Sequence, residues 1–190
     1  MRVISGKARR TNLESVEGLN TRPTTDRIKE TLYNMINSDI YDCRFLDLFA
    51  GSGGIGIEAL SRGAKEAVFI ENNKMAVNCI KRNLDKTHLK DNAEVYEMDV
   101  LNYIRKYGKD TKSFDIIFMD PPYNNEIEKD VLYSLADSSI IDEDTLIIVE
   151  ASLETDFSYL SDIGFEVEKR KEYKTNVHMF IRRCINERIE

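Results

Sequence analysis

The residues best suited to chemistry are Asp120, Pro121, Pro122 and Tyr123, which follow the apolar run Phe114 to Met119 without a break. Two prolines stiffen such a loop and remove two N–H donors, leaving carbonyls and the Asp120 carboxylate as fixed acceptors. Acceptors are what a planar amino group requires if its hydrogens are to be held and its nitrogen lone pair turned toward an electrophilic carbon. Tyr123 adds a flat face on which a nucleobase can stack once it leaves its helix or loop. The bland reading of the same residues is a proline-rich turn with a packed tyrosine.

A second group lies upstream. In Leu46-Asp47-Leu48-Phe49-Ala50-Gly51-Ser52-Gly53-Gly54-Ile55-Gly56 an apolar strand runs into a glycine turn and opens a helix. Glycines allow that turn to be tight and let the backbone approach a ligand closely. Glu71 ends the next apolar run, at the distance where a dinucleotide-type fold places its acceptor for ribose hydroxyls. To this point NAD and S-adenosylmethionine compete as ligands. Asp99 follows the third apolar run and either accepts from an adenine amino group or caps the next helix. Asp120 to Tyr123 separates the two ligands, because an NAD enzyme leaves that stretch without a task.

Elements that position these residues are legible in the hydrophobic periodicity. Apolar runs at Phe45 to Phe49, Ala67 to Ile70, Glu94 to Met98, Phe114 to Met119 and Leu146 to Val149 read as strands. They alternate with helical patterns at Ile55 to Ser61, Met75 to Leu84, Leu101 to Tyr107 and Glu128 to Leu135. Strand alternating with helix at this spacing means βαβ units and a largely parallel sheet covered on both faces. Phe165 to Lys171 and Val177 to Arg183, joined by a short polar link, predict a closing antiparallel hairpin. A further helix is expected from Thr24 or Thr25 as N-cap to about Asn37.

The chain has 190 residues with 42% apolar content, enough for one α/β core and too little for two full domains. The expected division is a basic arm or hairpin over residues 1–20 and a single domain over 21–190. Cys43, Cys79 and Cys184 are widely separated and read as free thiols in a reducing compartment. No metal cluster is visible, and His88 and His178 read as solvated or satisfied histidines. The amino terminus lacks the apolar core of a signal peptide, and no apolar run approaches the roughly 20 residues that span a bilayer. Cytoplasmic residence without a membrane partner is the expectation.

The net charge of −7 is unevenly spread. Met1 to Thr11 carries Arg2, Lys7, Arg9 and Arg10 and no acid, whereas Asp137 to Asp162 carries eight acids and no Lys or Arg. Such segregation is compatible with one basic face for a polyanion and one acidic face.

Taken together, Met1-Arg-Val-Ile-Ser-Gly-Lys-Ala-Arg-Arg10, Arg22-Pro-Thr-Thr-Asp-Arg-Ile-Lys-Glu-Thr-Leu-Tyr33, the stretch Asp47 to Gly56 and Asp120-Pro-Pro-Tyr123 resemble the RsmD family over nearly the whole chain. The resemblance implies a Rossmann-like, seven-stranded methyltransferase fold with a mostly parallel sheet and a terminal antiparallel hairpin. It implies S-adenosylmethionine as cofactor and N2 of a guanine in small-subunit (16S) rRNA as acceptor, free or within a ribosomal subunit or assembly intermediate. Asp47, Gly51 and Gly53 would then line the methionine end and backbone of the cofactor, Glu71 its ribose and Asp99 its adenine, with Ser52 and Asn72 also among the cofactor-binding residues. Asp120, Pro121, Pro122 and Tyr123 would hold the guanine, Arg22 and Thr24 would lie near the cofactor's edge, and Arg2, Lys7, Arg9 and Arg10 would meet the RNA. Direct transfer of a sulfonium methyl needs positioning rather than a covalent enzyme intermediate. Rival readings are N6 of adenine in RNA or DNA, a protein glutamine amide, an NAD-dependent oxidoreductase and a non-catalytic RNA-binding module.

Overall fold

A computed structural model describes residues 1–16, 26–109, 111–122 and 126–184. The chain divides into two compact units, Met1–Val100 and Leu101–Glu190.

In the first unit, helix α1 (Asp26–Met35) and the single turn α2 (Asn37–Ile40) precede strand β1 (Arg44–Asp47). Helix α3 (Gly54–Ser61), strand β2 (Glu66–Glu71), helix α4 (Lys74–Thr87) and strand β3 (Ala93–Glu97) follow. The three strands are parallel, with Leu46 opposite Val68 and Phe69 opposite Val95. Helix α3 is buried along its whole length, which explains why its pattern Gly-Ile-Gly-Ile-Glu-Ala-Leu-Ser is apolar on nearly every side. Helix α4 is amphipathic and better capped. The Asn73 side chain accepts from the backbone N–H groups of Met75 and Ala76, and His88 closes the far end in the left-handed conformation.

The second unit holds helix α5 (Val100–Tyr107, whose first residue belongs to the first unit), strand β4 (Ile116–Met119), helix α6 (Ile127–Ala136), strand β5 (Leu146–Ser152), strand β6 (Phe165–Glu172) and strand β7 (Asn176–Arg183). β4 and β5 are parallel and almost wholly buried, as their unbroken Ile, Leu, Val and Phe content demands. β7 runs antiparallel to both β5 and β6, so the chain closes as a hairpin, and β6 carries an irregularity between Val167 and Lys169.

The strand order is β3-β2-β1-β4-β5-β7-β6. This is the expected Rossmann-like, seven-stranded methyltransferase architecture with a terminal antiparallel hairpin. Boundaries moved by one to three residues. β4 begins at Ile116, two residues later than expected, because Phe114 and Asp115 are tied by backbone bonds to Ile140 and Leu146. The expected caps Thr24 and Thr25 lie outside the described residues. No described helix is long and apolar enough to cross a membrane, and no group of three or more possible metal ligands gathers among the described residues.

The basic amino terminus is folded onto α3. Arg2 bridges to Asn12, and backbone bonds join Val3 to Thr11, Arg10 to Val3 and Leu13 to Met1. Its anchor is Glu58, a charged residue in the middle of the buried helix. One carboxylate oxygen accepts from Ile4 N–H at 2.8 Å and pairs with Lys29 at 3.1 Å, and the other accepts from Ser5 N–H at 2.9 Å and pairs with Arg62 at 2.8 Å. Lys29 also donates to the Arg2 carbonyl at 2.6 Å. Burial pulls the Lys29 ammonium below the ordinary lysine range, and Glu58 only partly restores it. Gly6 lies so close that a Cβ there would stand 1.8 Å from the Ser61 carbonyl oxygen, at a φ of +82°. Hydrogen bonds from Lys7 N–H to Ser61 O and from Ala8 N–H to Ser61 Oγ complete the seam.

A charge buried with four donors becomes a liability when it is removed alone, since the two cations then lose their partner. Glu58→Ala is expected to lower unfolding free energy by about 3–5 kcal/mol. Chemical denaturation measures this, and hydrogen exchange should show early loss of protection at Ile4 and Ser5.

Candidate functional site

Carboxylates at strand ends organise the loop after β1. Asp47, the last residue of β1, is 1% exposed and accepts from the N–H of Gly56 in the first turn of α3 at 3.1 Å. Glu71, the last residue of β2, accepts from Gly51 N–H at 2.9 Å and from Asn73 N–H at 2.8 Å. The glycine turn is therefore clamped from its own strand and from the neighbouring one. Gly51 and Gly53 both adopt positive φ, +54° and +82°, a conformation that other residues resist. At Gly51 no atom of the described residues comes within 4 Å of where a Cβ would stand, so the turn leaves open space there.

Ser52 contributes its carbonyl to a contact that sequence reading missed. Asn83, fully buried on α4, donates to Ser52 O at 2.9 Å and to Glu14 O at 3.1 Å, and its Oδ1 accepts from Glu14 N–H at 2.8 Å. One amide thus ties the glycine turn to the segment that follows the basic hairpin. An Asn on the apolar side of an amphipathic helix was the available signal. Glu58 had a stronger one, being an acid inside an apolar helix.

Asn72 and Asp99 are exposed at the carboxyl ends of β2 and β3, and Asp99 directly precedes α5. All the cofactor-site candidates of the first unit therefore fall at the carboxyl ends of its three strands or in the loop after them, where open α/β sheets bind ligands. Buried Asp47, the free acceptor capacity of the Glu71 oxygens and the space at Gly51 fit a cationic nucleoside such as S-adenosylmethionine.

In the second unit, Asp120 and Pro121 follow β4 directly, the first half-buried and the second buried, while Pro122 is exposed. Tyr123 lies outside the described residues, as do Arg22 and Thr24. The sequence reading overlooked Glu150, an acid that directly follows the apolar run Leu146 to Val149 and lies one residue past the last pair of the β4–β5 ladder. His178 is buried and hydrogen-bonded rather than solvated.

The family described as Conserved hypothetical protein 95 matches residues 1–182. The chain belongs to this family, the RsmD family. YlbH of Bacillus subtilis is 40% identical over 172 residues, which cover 90% of this chain and 92% of that protein. Ribosomal RNA small subunit methyltransferase D of Haemophilus influenzae is 36% identical over 79% of this chain and 78% of its own. The solved structure of yhhF from Escherichia coli superposes with a TM-score of 0.83 at 30% identity, covering 97% of this chain and 98% of that one.

Desolvation pushes the Asp47 carboxyl up to about 7, the nearby Glu71 charge adds to the rise, and hydrogen bonds from Gly56 and Phe49 oppose it. A raised folded-state value means the fold holds this proton more tightly than the unfolded chain does. The corresponding stability is present in mild acid and is lost as pH rises toward 7. Asp47→Asn, which mimics the protonated form, is expected to stabilise the cofactor-free protein by about 2–4 kcal/mol more at about pH 8 than at about pH 5. Thermal unfolding at the two pH values measures the difference, and an equal effect at both would refute the assignment.

Proposed function

We propose that this protein is an S-adenosylmethionine-dependent rRNA methyltransferase acting on the exocyclic N2 amino group of a guanine in small-subunit (16S) rRNA. The observation that carries the reading is the Asp120-Pro121-Pro122-Tyr123 stretch at the carboxyl end of β4, in a chain whose relatives include the small-subunit rRNA methyltransferases of Haemophilus influenzae and Escherichia coli.

The bound cofactor supplies a methyl group on a positively charged sulfur. Asp47 and the turn of Gly51, Ser52 and Gly53 hold its methionine end, Glu71 and Asn72 its ribose and Asp99 its adenine. Glu71 already fixes Gly51 through one oxygen, so ribose hydroxyls bind to a loop whose shape is set beforehand. Asp120 accepts one amino hydrogen of the guanine, the proline-stiffened backbone accepts the other, and Tyr123 stacks on the ring. With both hydrogens so held, the nitrogen lone pair would be left for the methyl group, and orientation would supply most of the acceleration.

Arg2, Lys7, Arg9 and Arg10 form the proposed RNA contact, on rRNA free or within a small subunit or its precursor. Lys7, Arg9 and Arg10 are exposed on the docked hairpin, and Arg2 pairs with Asp26 at 2.9 Å. A hairpin held by a buried ion pair presents its cations in fixed positions, which suits recognition of a defined phosphate path.

Tritiated cofactor incubated with small subunits that lack the modification, followed by nucleoside analysis, tests the reading. Label is expected in N2-methylguanosine, and label in N6-methyladenosine would replace the target while keeping the chemistry. Asp120→Ala is expected to bind cofactor normally by calorimetry and to lose about 100-fold or more in transfer, in line with removal of one group that orients the acceptor. Unchanged turnover would remove Asp120 from the site.

A further inference from the structure

Beside the proposed acceptor, ionisable residues line up across neighbouring strands of the second unit. Met119 of β4 and Val149 of β5 are the last pair of their parallel ladder, and Asp120 and Glu150 are the residues that follow them. Glu150 in turn stands opposite His178 of β7. Residues opposite one another share a face of the sheet. The ring of Phe118, two residues before Asp120, meets the His178 ring edge-on with 6.1 Å between centroids.

Glu150 is 5% exposed and His178 0%. One Glu150 oxygen lies 3.0 Å from His178 Nε2, and the other accepts from Asn176 Nδ2 at 2.5 Å. The second imidazole nitrogen, Nδ1, lies 3.2 Å from the hydroxyl of Tyr173, which is only half-buried, and the two rings pack at 4.9 Å. A hydrogen-bonded chain of carboxylate, imidazole and phenol therefore runs from the sheet interior, one residue past the end of the β4–β5 ladder, toward the surface. Lys171 is the register partner of His178 on β6.

Burying such a pair is a poor route to stability, because desolvation offsets the attraction and apolar replacements of similar volume are often as good or better. β4, the first four residues of β5 and the stretch Met179 to Ile181 of β7 are otherwise Ile, Leu, Val, Met and Phe. Glu150 and His178 depart from that apolar pattern, buried and hydrogen-bonded to each other just past the end of the β4–β5 ladder.

Methyl transfer to an amino group creates one need that positioning does not meet. The nitrogen forms its bond to carbon as the carbon–sulfur bond breaks and the electron pair returns to sulfur, and the nitrogen is left with one proton in excess. We propose that Glu150, His178 and Tyr173 are the route by which this proton leaves, an inference that rests on Asp120 holding the amino group. Asp120 takes the proton and passes it to Glu150. His178 takes it at Nε2 and releases another from Nδ1 to the Tyr173 hydroxyl, from which a proton passes to bulk water. No oxidant or further reactant is required.

Single-turnover methylation of unmodified small subunits at saturating cofactor, across about pH 6 to 9 where histidine changes charge, tests the route in the wild type, Glu150→Gln, His178→Gln and Tyr173→Phe. Glu150→Gln is expected to slow turnover by about 100-fold with cofactor affinity and KM for RNA unchanged. Tyr173→Phe keeps the ring packing at the half-exposed end, so it is expected to fold normally. It should alter the pH profile, with rate restored by a small added base such as imidazole. Variants that melt like the wild type and turn over like it at every pH overturn the route alone. If Glu150→Gln and His178→Gln do not fold, a wild-type profile and no rescue in Tyr173→Phe overturn it equally. A wild-type protein that labels no RNA amino group overturns the reading of Asp120, and the route with it.

Discussion

A carboxylate removed from water must find donors, and much of this structure is arranged around that constraint. Asp47, Glu58, Glu71 and Glu150 all lie in or against the sheet layers, and each is met by N–H groups rather than by a lone cation. Because most of these donors belong to the backbone of another segment, satisfying the charge also fixes a loop. Asp47 and Glu71 fix the glycine turn, Glu58 fixes the amino-terminal hairpin, and Glu150 ties β5 to β7 through His178 and Asn176. The cost of burial thus becomes a source of shape.

This arrangement separates holding a segment from using it. Glu58, Lys29 and Arg62 are consumed in anchoring the hairpin backbone, which leaves Lys7, Arg9 and Arg10 at the surface. A chain of overall negative charge can in this way present a cationic edge to a polyanion, because local charge rather than the total governs contact at distances near the Debye length. The same division holds at the glycine turn, where Asn83 and Glu71 bear on backbone atoms and the space at Gly51 stays open.

The candidate residues of each unit fall at carboxyl ends of its parallel strands, the edge at which such strands finish together. Each βα turn there is free of ladder bonds and can be given polar residues without disturbing the apolar interior. β5 shows the principle at its limit. Its interior residues are Leu, Ile and Val, and its first acid comes only one residue past the end of its pairing with β4.

By itself the sequence determined the alternation of strand and helix, the glycine turn, the strand-end acids Asp47, Glu71 and Asp99, the Asp120 to Tyr123 stretch and the basic character of the amino terminus. These are local properties: periodicity, turn chemistry and charge are written in neighbouring residues. Tertiary structure decided which backbone groups the acids would serve. It placed Glu58 against Ile4 and Ser5, Asn83 between Ser52 and Glu14, and His178 against Glu150, partners separated by 28 to 69 positions in the chain. A lone acid in a helix, or an Asn or His on a buried face, announces that a partner must exist, since burial without one is too costly. Which residue answers depends on the register of strands and the docking of helices, and that is fixed only when the chain closes on itself.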